Sequence, residues 1–207
     1  MYIKIATLEQ MTPQEIINEN PNTGFPDGHW SDEMLVDLGY ATLYEPESHP
    51  FPGKYEELVA GPITLIGGKY TKSYVVQSTV PTDPVELEKF IADEKTALKS
   101  LATLYRYQNE VAGILIDETN RISTDAVSQG KIAGAYQLSL LTPTIQVDWK
   151  TNTGEWIILD ATKIAEIFSL VANHVQALFS KEKRRHDAIA LLTTVEEIKI
   201  FDLLTIE

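Results

Sequence analysis

Histidine is the commonest metal ligand among side chains, so the four histidines of the chain are the first candidates for metal chemistry: His29, His49, His174 and His186. His174 and His186 are expected to share one helix, where twelve residues at 1.5 Å per residue separate them by about 18 Å. A single ion cannot bridge that distance, and the sequence has no H-E-x-x-H pattern. The spacing therefore predicts packed or solvated histidines, no metal site and no cofactor.

Adjacent carboxylates are the next candidates, because glycoside hydrolysis uses two carboxyl groups held about 5–10 Å apart across a sugar cleft. The chain has three acidic pairs, Asp93-Glu94, Asp117-Glu118 and Glu196-Glu197. Neighbouring side chains diverge on a helix or a strand, so these pairs indicate solvated surface or helix caps. A small glycan hydrolase stays the enzyme alternative.

The sequence also lacks the usual nucleophile and phosphate patterns. It contains no cysteine, which excludes thiolate catalysis and disulfides, and no serine lies in a G-x-S-x-G frame. Gly67-Gly68 precedes Lys69 without the rest of a phosphate-binding loop, and it favours a hairpin turn. No catalytic residue is therefore predicted, and the expected function is non-enzymatic.

Charge limits the kinds of partner. The formal net charge is −13, which disfavours contact with a phosphate backbone, so no nucleic acid is expected. No run of about 18 apolar residues and no signal-peptide pattern is present, which predicts no membrane contact and synthesis in the cytoplasm. The basic cluster at residues 181–186 favours a solvated helix end, with an acidic protein partner as the alternative through Lys181, Arg184 and Arg185.

Aromatic and arginine side chains supply the other candidate contacts with a protein partner, which are Trp30, Phe51, Tyr55 and Arg106. Trp149 and Trp156 lie on either side of a predicted hairpin turn. The spacing favours packing of both indoles between the hairpin and the helices, with binding hot spots as the alternative.

The pattern of apolar residues predicts an α+β fold in three parts. Residues 1–80 form a small β-containing N-terminal domain, because its seven prolines exclude long helices. Within it, Ser31 is expected to cap a short helix that ends before Gly39. Residues 54–60 and 69–77 are expected to pair as a hairpin around Gly67-Gly68.

Residues 81–104 form a linker and the first part of a long amphipathic helix. Asp83 is a suitable N-cap, Pro84 a suitable first residue and Gly113 a suitable stop. Apolar positions recur at spacings of three and four between Leu87 and Ala112, so this stripe is expected to be buried within its own domain or against another chain.

Residues 105–207 are expected to form a helix–hairpin–helix domain. Thr124 is the predicted cap of a helix that reaches about Leu141. Strands at 144–149 and 155–159 follow, then a long helix capped by Asp160 and a short one opened by the capping box at Thr194.

An ordered series of motifs runs through this C-terminal half: YRYQNEVAGI at 105–114, ISTDAVSQG at 122–130, VDWK at 147–150, GEWIILD at 154–160 and NHVQALF at 173–179. The series resembles a domain of unknown function, number 4376, found near the C-terminus of tail proteins of tailed bacteriophages. The resemblance covers residues 105–203 and implies a place in the phage tail or its assembly, without catalytic residues.

The resemblance implies a tail-fibre-associated assembly factor that binds another phage tail or fibre protein, and that acts in the host cytoplasm. Self-association into a homo-oligomer is a further expectation. A structural fibre or baseplate adaptor that remains in the virion tail is the alternative within the binding class.

Overall fold

The computed structural model describes residues 1–27 and 30–206, so the candidate His29 lies outside the described residues. The chain divides into two compact units, Met1–Thr82 and Asp83–Glu207. Both helices and strands are present, and the predicted α+β class is confirmed.

The described residues of the first unit form seven short strands and two short helices. They follow one another as β1 (Tyr2–Lys4), β2 (Glu9–Met11), α1 (Pro13–Glu19), α2 (Asp32–Asp37), β3 (Tyr40–Tyr44), β4 (Glu56–Ala60), β5 (Thr64–Ile66), β6 (Lys69–Thr71) and β7 (Tyr74–Ser78). Five strands form a sheet in the order β2-β1-β3-β6-β5, in which only the β3–β6 pair is parallel among the described residues. Ser31 caps α2, and Gly39 follows with a φ of 84°, as predicted.

The predicted hairpin of residues 54–60 with 69–77 is confirmed in part, since β4 pairs antiparallel with β7 but the Gly67-Gly68 turn does not join them. Gly67 and Gly68 both have positive φ, but the turn they form joins β5 to β6. The run at 69–77 is two strands, because β6 pairs with β3 while β7 pairs with β4. The break falls at Lys72, whose backbone N–H donates to the Tyr44 carbonyl, 2.9 Å away.

The second unit, described to residue 206, contains four α-helices and two hairpins. They are α3 (Pro84–Val111), β8 (Ile114–Leu115), β9 (Arg121–Ile122), α4 (Ala126–Leu141), β10 (Gln146–Lys150), β11 (Trp156–Asp160), α5 (Ala161–Leu191) and α6 (Val195–Ile200), followed by a 3₁₀ turn at Leu203–Thr205. The predicted caps Asp83, Asp160 and Thr194 all accept backbone N–H groups at the starts of their helices.

The cap of α4 differs from the predicted one. Asp125 is the N-cap and accepts the N–H groups of Val127 and Ser128. Thr124 is buried instead, where its hydroxyl accepts the Gly113 N–H at 3.0 Å and donates to the Glu110 carbonyl. Thr124 thereby ties the end of α3 to the start of α4.

The long helix α3 packs against α5 within this unit. Ala102 is fully buried with Ile189 and Leu203, and the half-buried Leu98 and Tyr105 pack against them. The predicted stripe is only half-buried at Leu98 and Tyr105, and its members Leu101, Gln108 and Ala112 are exposed. The buried residue Ala102 lies beside the stripe. The main core of the unit lies between α4, α5 and the two hairpins, and contains Ile116, Ile122, Ile132, Leu159, Ile164, Ile167 and Val171.

Candidate partner-binding groove

Trp30 was a candidate contact residue, and that prediction is wrong. Its side chain is 4% exposed in the core of the first unit, with Met11, Ile16, Leu35 and Tyr40. The indole ring stacks on Tyr2 and contacts Phe25 at a tilt of 37°, and its N–H donates to the Pro26 carbonyl. Trp30 holds this unit together and is not available to a partner.

Arg106 was also predicted to contact a partner, and it too lies inside the fold. Its guanidinium pairs with Glu110 on the same helix and with Glu182 on α5, and all three side chains are largely buried. Arg106 Nε lies 2.8 Å from Glu182 Oε2 without hydrogen-bond geometry, so charge holds this contact. The guanidinium also lies over the Phe179 ring, 4.5 Å from its centroid. The motif that carries the family resemblance therefore contributes an internal ion-pair network.

The basic cluster is divided between structural and exposed side chains. Arg185 Nε donates to the Leu203 carbonyl at 3.0 Å, so Arg185 ties α5 to the C-terminal turn, and as a half-buried side chain it stays a candidate contact. His186 Nε2 lies 3.2 Å from the Lys99 carbonyl, which ties α5 to α3. Arg184 is exposed and Lys181 is half-buried, so these two stay on the surface of α5.

Phe51 and Tyr55 lie in the first unit, in the segment before β4. Phe51 is 95% exposed, as a contact residue requires. Tyr55 is half-buried with a positive φ of 64°, and Lys54 lies over its ring at 4.6 Å. The two aromatics therefore remain candidates as single side chains.

The hairpin β10–β11 separates the two tryptophans that were expected to pack together. Trp149 pairs with Ile157, while Trp156 pairs with Lys150. Because successive residues of a strand point to opposite faces, this register places the two indoles on opposite sides of the hairpin. Trp149 packs against the core, but Trp156 is 68% exposed, so the predicted burial of Trp156 is wrong.

The outer face of the hairpin consequently exposes two apolar side chains beside the charged Asp148 and Lys150. Ile158 follows Trp156 on the same face and is 66% exposed. Lys150 Nζ lies 5.9 Å from the Trp156 ring centroid, a distance typical of a cation–π contact that steadies the indole. The sequence contained a signal for this exposure, because side chains alternate between the two faces of a strand. Ile157 and Leu159 form the buried face of β11, which leaves Trp156 and Ile158 on the other face.

A groove of about 430 Å³ opens beside this face, between β10 and α4. One wall is the run from Val147 to Lys150, with Trp156 at its end. The opposite wall carries Ser123 and three α4 residues, Ser128, Lys131 and Ala135. The groove therefore follows the free side of a strand and ends at an exposed aromatic ring.

The edge of β10 that faces the groove has unused hydrogen-bonding capacity. Among the described residues β10 and β11 form a sheet of two strands, so each has one strand partner. In an antiparallel pair about half of the backbone N–H and C=O groups point away from the partner strand. Such an edge is a template for another extended segment.

Asp148 is a carboxylate of the groove wall. Asp125 contacts the groove residues Ser123 and Ser128, and it serves the fold. The hydroxyls of Ser123 and Ser128 donate to its Oδ2 at 2.5 and 2.8 Å, while backbone N–H groups donate to Oδ1. The Ser123 hydrogen bond, with the others, holds the pKa of Asp125 well below its usual range. This carboxylate is therefore a weak base and a strong helix cap.

Across residues 1–27 and 30–206, no group of three or more His, Asp and Glu side chains could hold a metal ion. Within the same residues, no helix combines the length and the apolar character needed to cross a bilayer.

The second unit thus defines a class of protein: an α+β domain with an open groove beside the free edge of a strand. Its sequence identifies the family, since residues 93–203, more than half of the chain, match the family described as a domain of unknown function, DUF4376, and the chain belongs to that family. The family expected from the motifs is confirmed. No curated protein and no solved structure matches the chain.

Proposed function

We propose that this protein is a non-enzymatic bacteriophage tail protein, a tail-fibre-associated assembly factor that holds an extended segment of another tail protein in the groove between β10 and α4. The observation that carries the proposal is the unpaired edge of β10, which borders the groove and ends beside the exposed Trp156. The phage setting rests on the resemblance of the family motifs.

The groove suits a segment that adds to the hairpin as a third strand. Main-chain hydrogen bonds to the β10 edge supply affinity in this mode, and pockets for alternate side chains supply specificity. Trp156 offers a large, rigid apolar surface of the kind that dominates binding energy at interfaces. Lys131 lies on the α4 wall of the groove, and Asp148 and Lys150 lie on the β10 wall. Charged side chains of the bound segment can pair with these three residues, and the pairing would select the register of the segment.

Catalysis by the groove serines is unfavourable on chemical grounds. A serine nucleophile needs an adjacent base whose pKa is near the working pH. The hydroxyls of Ser123 and Ser128 face Asp125, whose pKa is far below neutral. Asp125 is therefore a poor base for these two serines, which favours the proposed binding function over catalysis by them.

The test is a titration of the protein with peptides that tile the co-encoded tail and fibre proteins, measured by calorimetry. Replacing Trp156 by Ala should raise the dissociation constant of the bound peptide by about 30-fold, because a hot-spot aromatic contributes about 2 kcal/mol to the binding free energy. The melting temperature should stay unchanged, because the ring is exposed.

Phe51→Ala is the matched control, because it also removes an exposed aromatic ring but lies in the other unit. Its affinity should equal that of the wild type. A loss of binding in Phe51→Ala with none in Trp156→Ala would move the site to the first unit. Turnover of host polysaccharide, lost on neutralising one carboxylate, would replace the binding function by the hydrolase alternative.

Mass spectrometry of purified virions tests the place of action. An assembly factor acts in the host cytoplasm and is absent from the finished particle. A constant number of copies per virion would favour the fibre or baseplate adaptor.

A further inference from the structure

The main-chain groups on the free edge of β10 can be assigned from the hairpin turn. The Thr151 N–H donates to the Glu155 carbonyl at 2.8 Å, so these two residues form a hydrogen-bonded pair. Hydrogen-bonded and non-hydrogen-bonded pairs alternate along an antiparallel ribbon. In the register of this hairpin, the main-chain N–H and C=O groups of Asp148 and Lys150 therefore point away from β11, toward the free edge.

One end of this edge is closed. Asn152, the next residue whose main chain points to the edge, donates its N–H to the Arg121 carbonyl at 2.9 Å. Ser123, two residues after Arg121, lines the groove, so the chain that leads from β9 into α4 crosses the edge beyond Lys150. Among the described residues, no hydrogen bond from outside the hairpin reaches the main chain of β10 itself. An added strand therefore has room along Gln146–Lys150 and must end or turn at the crossing.

The groove also contains positive charge that the fold does not neutralise. Lys131 on the α4 wall makes no hydrogen bond or ion pair among the described residues, and Lys150 Nζ lies over the Trp156 ring. The carboxylate of Asp125 is engaged by two hydroxyls and two backbone N–H groups. Asp148 lies on the same face of β10 as Lys150 and balances at most one of the two lysines. In a chain with 30 acidic and 17 basic side chains, the Lys131 ammonium is thus available to an anion.

On the basis of the proposed function, we propose that the bound segment is the C-terminal end of another tail protein, with its terminal carboxylate at the closed end of the groove beside Lys131. A chain that ends there needs no turn at the Arg121 crossing, and its last main-chain groups pair with the free edge of β10. Its carboxylate brings two acceptor oxygens and one negative charge, and charge-assisted hydrogen bonds are stronger than neutral ones. Because β10 runs from Gln146 toward the closed end, the bound strand is parallel to β10.

The test uses synthetic octapeptides with the C-terminal sequences of the co-encoded tail and fibre proteins, each made as the free acid and as the amide. Internal octapeptides of the same proteins are measured beside them. Fluorescence anisotropy reports binding through a label on the peptide N-terminus, which lies at the open end of the groove. One free acid should bind, and its amide should bind about tenfold more weakly, because the amide lacks the charge that meets Lys131.

Lys131→Gln should lower the affinity for the free acid to that for the amide and should leave the affinity for the amide unchanged. The melting temperature should not change, because Lys131 is exposed. Lys163→Gln is the control, since Lys163 is a lysine of α5 that pairs with Glu166 and lies outside the groove. It should leave the affinities for both peptide forms at their wild-type values.

The outcomes separate recognition of a chain end from strand addition. Amides or internal peptides that bind as tightly as the free acids, and that are still weakened by Trp156→Ala, overturn the C-terminal partner and leave the proposed function standing. A preference for the free acid that persists in Lys131→Gln, or that is lost in Lys163→Gln, also overturns it. Binding that neither Trp156→Ala nor Lys131→Gln weakens overturns both the C-terminal partner and the groove as the binding site.

Discussion

Arg106 illustrates how strongly a single side chain can depend on its surroundings. Its charge is compensated by Glu110 and Glu182, which are each about 15% exposed, and its flat face is covered by Phe179. Glu182 also accepts the hydroxyl of Thr103, and Glu110 accepts the side-chain amide of Gln129 at 3.1 Å. The network therefore joins α3, α4 and α5 at one point.

Replacing Arg106 by Ala is expected to lower the free energy of unfolding by about 3–5 kcal/mol, because it leaves two buried carboxylates without their cation. Urea denaturation followed by circular dichroism measures the loss.

Lys183→Ala is the control, because it breaks the Lys183–Asp187 pair, whose side chains are 76% and 63% exposed. An exposed pair of this kind is worth about 0–1 kcal/mol. Equal losses in the two variants would contradict the internal role of Arg106.

The sequence indicated which residue types can make strong contacts better than it indicated whether those contacts lie inside the fold or at its surface. Trp30, Arg106 and Arg185 resemble contact residues by type, but all three make contacts inside the fold. What decides between the two uses is a distant partner, such as Glu182 for Arg106 or the Leu203 carbonyl for Arg185. No local pattern contains that information.

At the scale of elements, the turn between β8 and β9 depends on one carboxylate. Asp117 accepts the side-chain amide of Asn120 and the backbone N–H groups of Thr119 and Asn120 at 2.8–2.9 Å. These hydrogen bonds, that of the Asn120 side chain first, lower the pKa of Asp117 from 3.8 to about 2. The carboxylate is thus favoured in the folded state.

This lowered pKa predicts a loss of stability in acid. Between pH 3.8 and about 2 the unfolded chain binds a proton at Asp117 while the folded chain does not, so stability falls as pH falls through this range. Asp117→Asn should reduce the slope of unfolding free energy against pH in that window.

Glu118→Gln removes the same charge from the neighbouring residue and is the control. It should retain the slope of the wild type. If the two variants titrate alike, the hydrogen bonds of Asp117 do not stabilise the turn.

Helix boundaries were predictable because their signals are local. Asp83, Asp160 and Thr194 cap their helices as expected, and Gly113 ends α3 with a φ of 81°. Strand partners were less predictable, since β3 and β6 pair in parallel across an intervening pair of strands. Thr124 and Asp125 are both good caps, and only the burial of Thr124 under the end of α3 assigns the cap to Asp125.

At the scale of the whole molecule, charge acts on every encounter. The net charge of −13 should accelerate association with a basic partner and slow association with an acidic one. The groove contributes contacts only after the molecules have met.

Affinity for a basic tail protein is therefore expected to fall as salt rises from about 0.1 M to 0.5 M, because the Debye length shortens from about 10 Å toward 3 Å. Calorimetry across that range measures the slope. Trp156→Ala should lower affinity by the same factor at each salt concentration. Binding that does not respond to salt would assign the interaction to apolar surface such as Phe51 and Tyr55.

The packing of α3 on α5 also has a consequence for the order of events during synthesis. Eighty residues separate Val111 from Leu191, the ends of the two helices. At about 5–20 residues per second, a ribosome needs roughly 4–16 s to make that stretch. Throughout this interval Leu98 and Tyr105 have no α5 to cover them, so the nascent chain presents an apolar stripe to chaperones and proteases until its last quarter emerges.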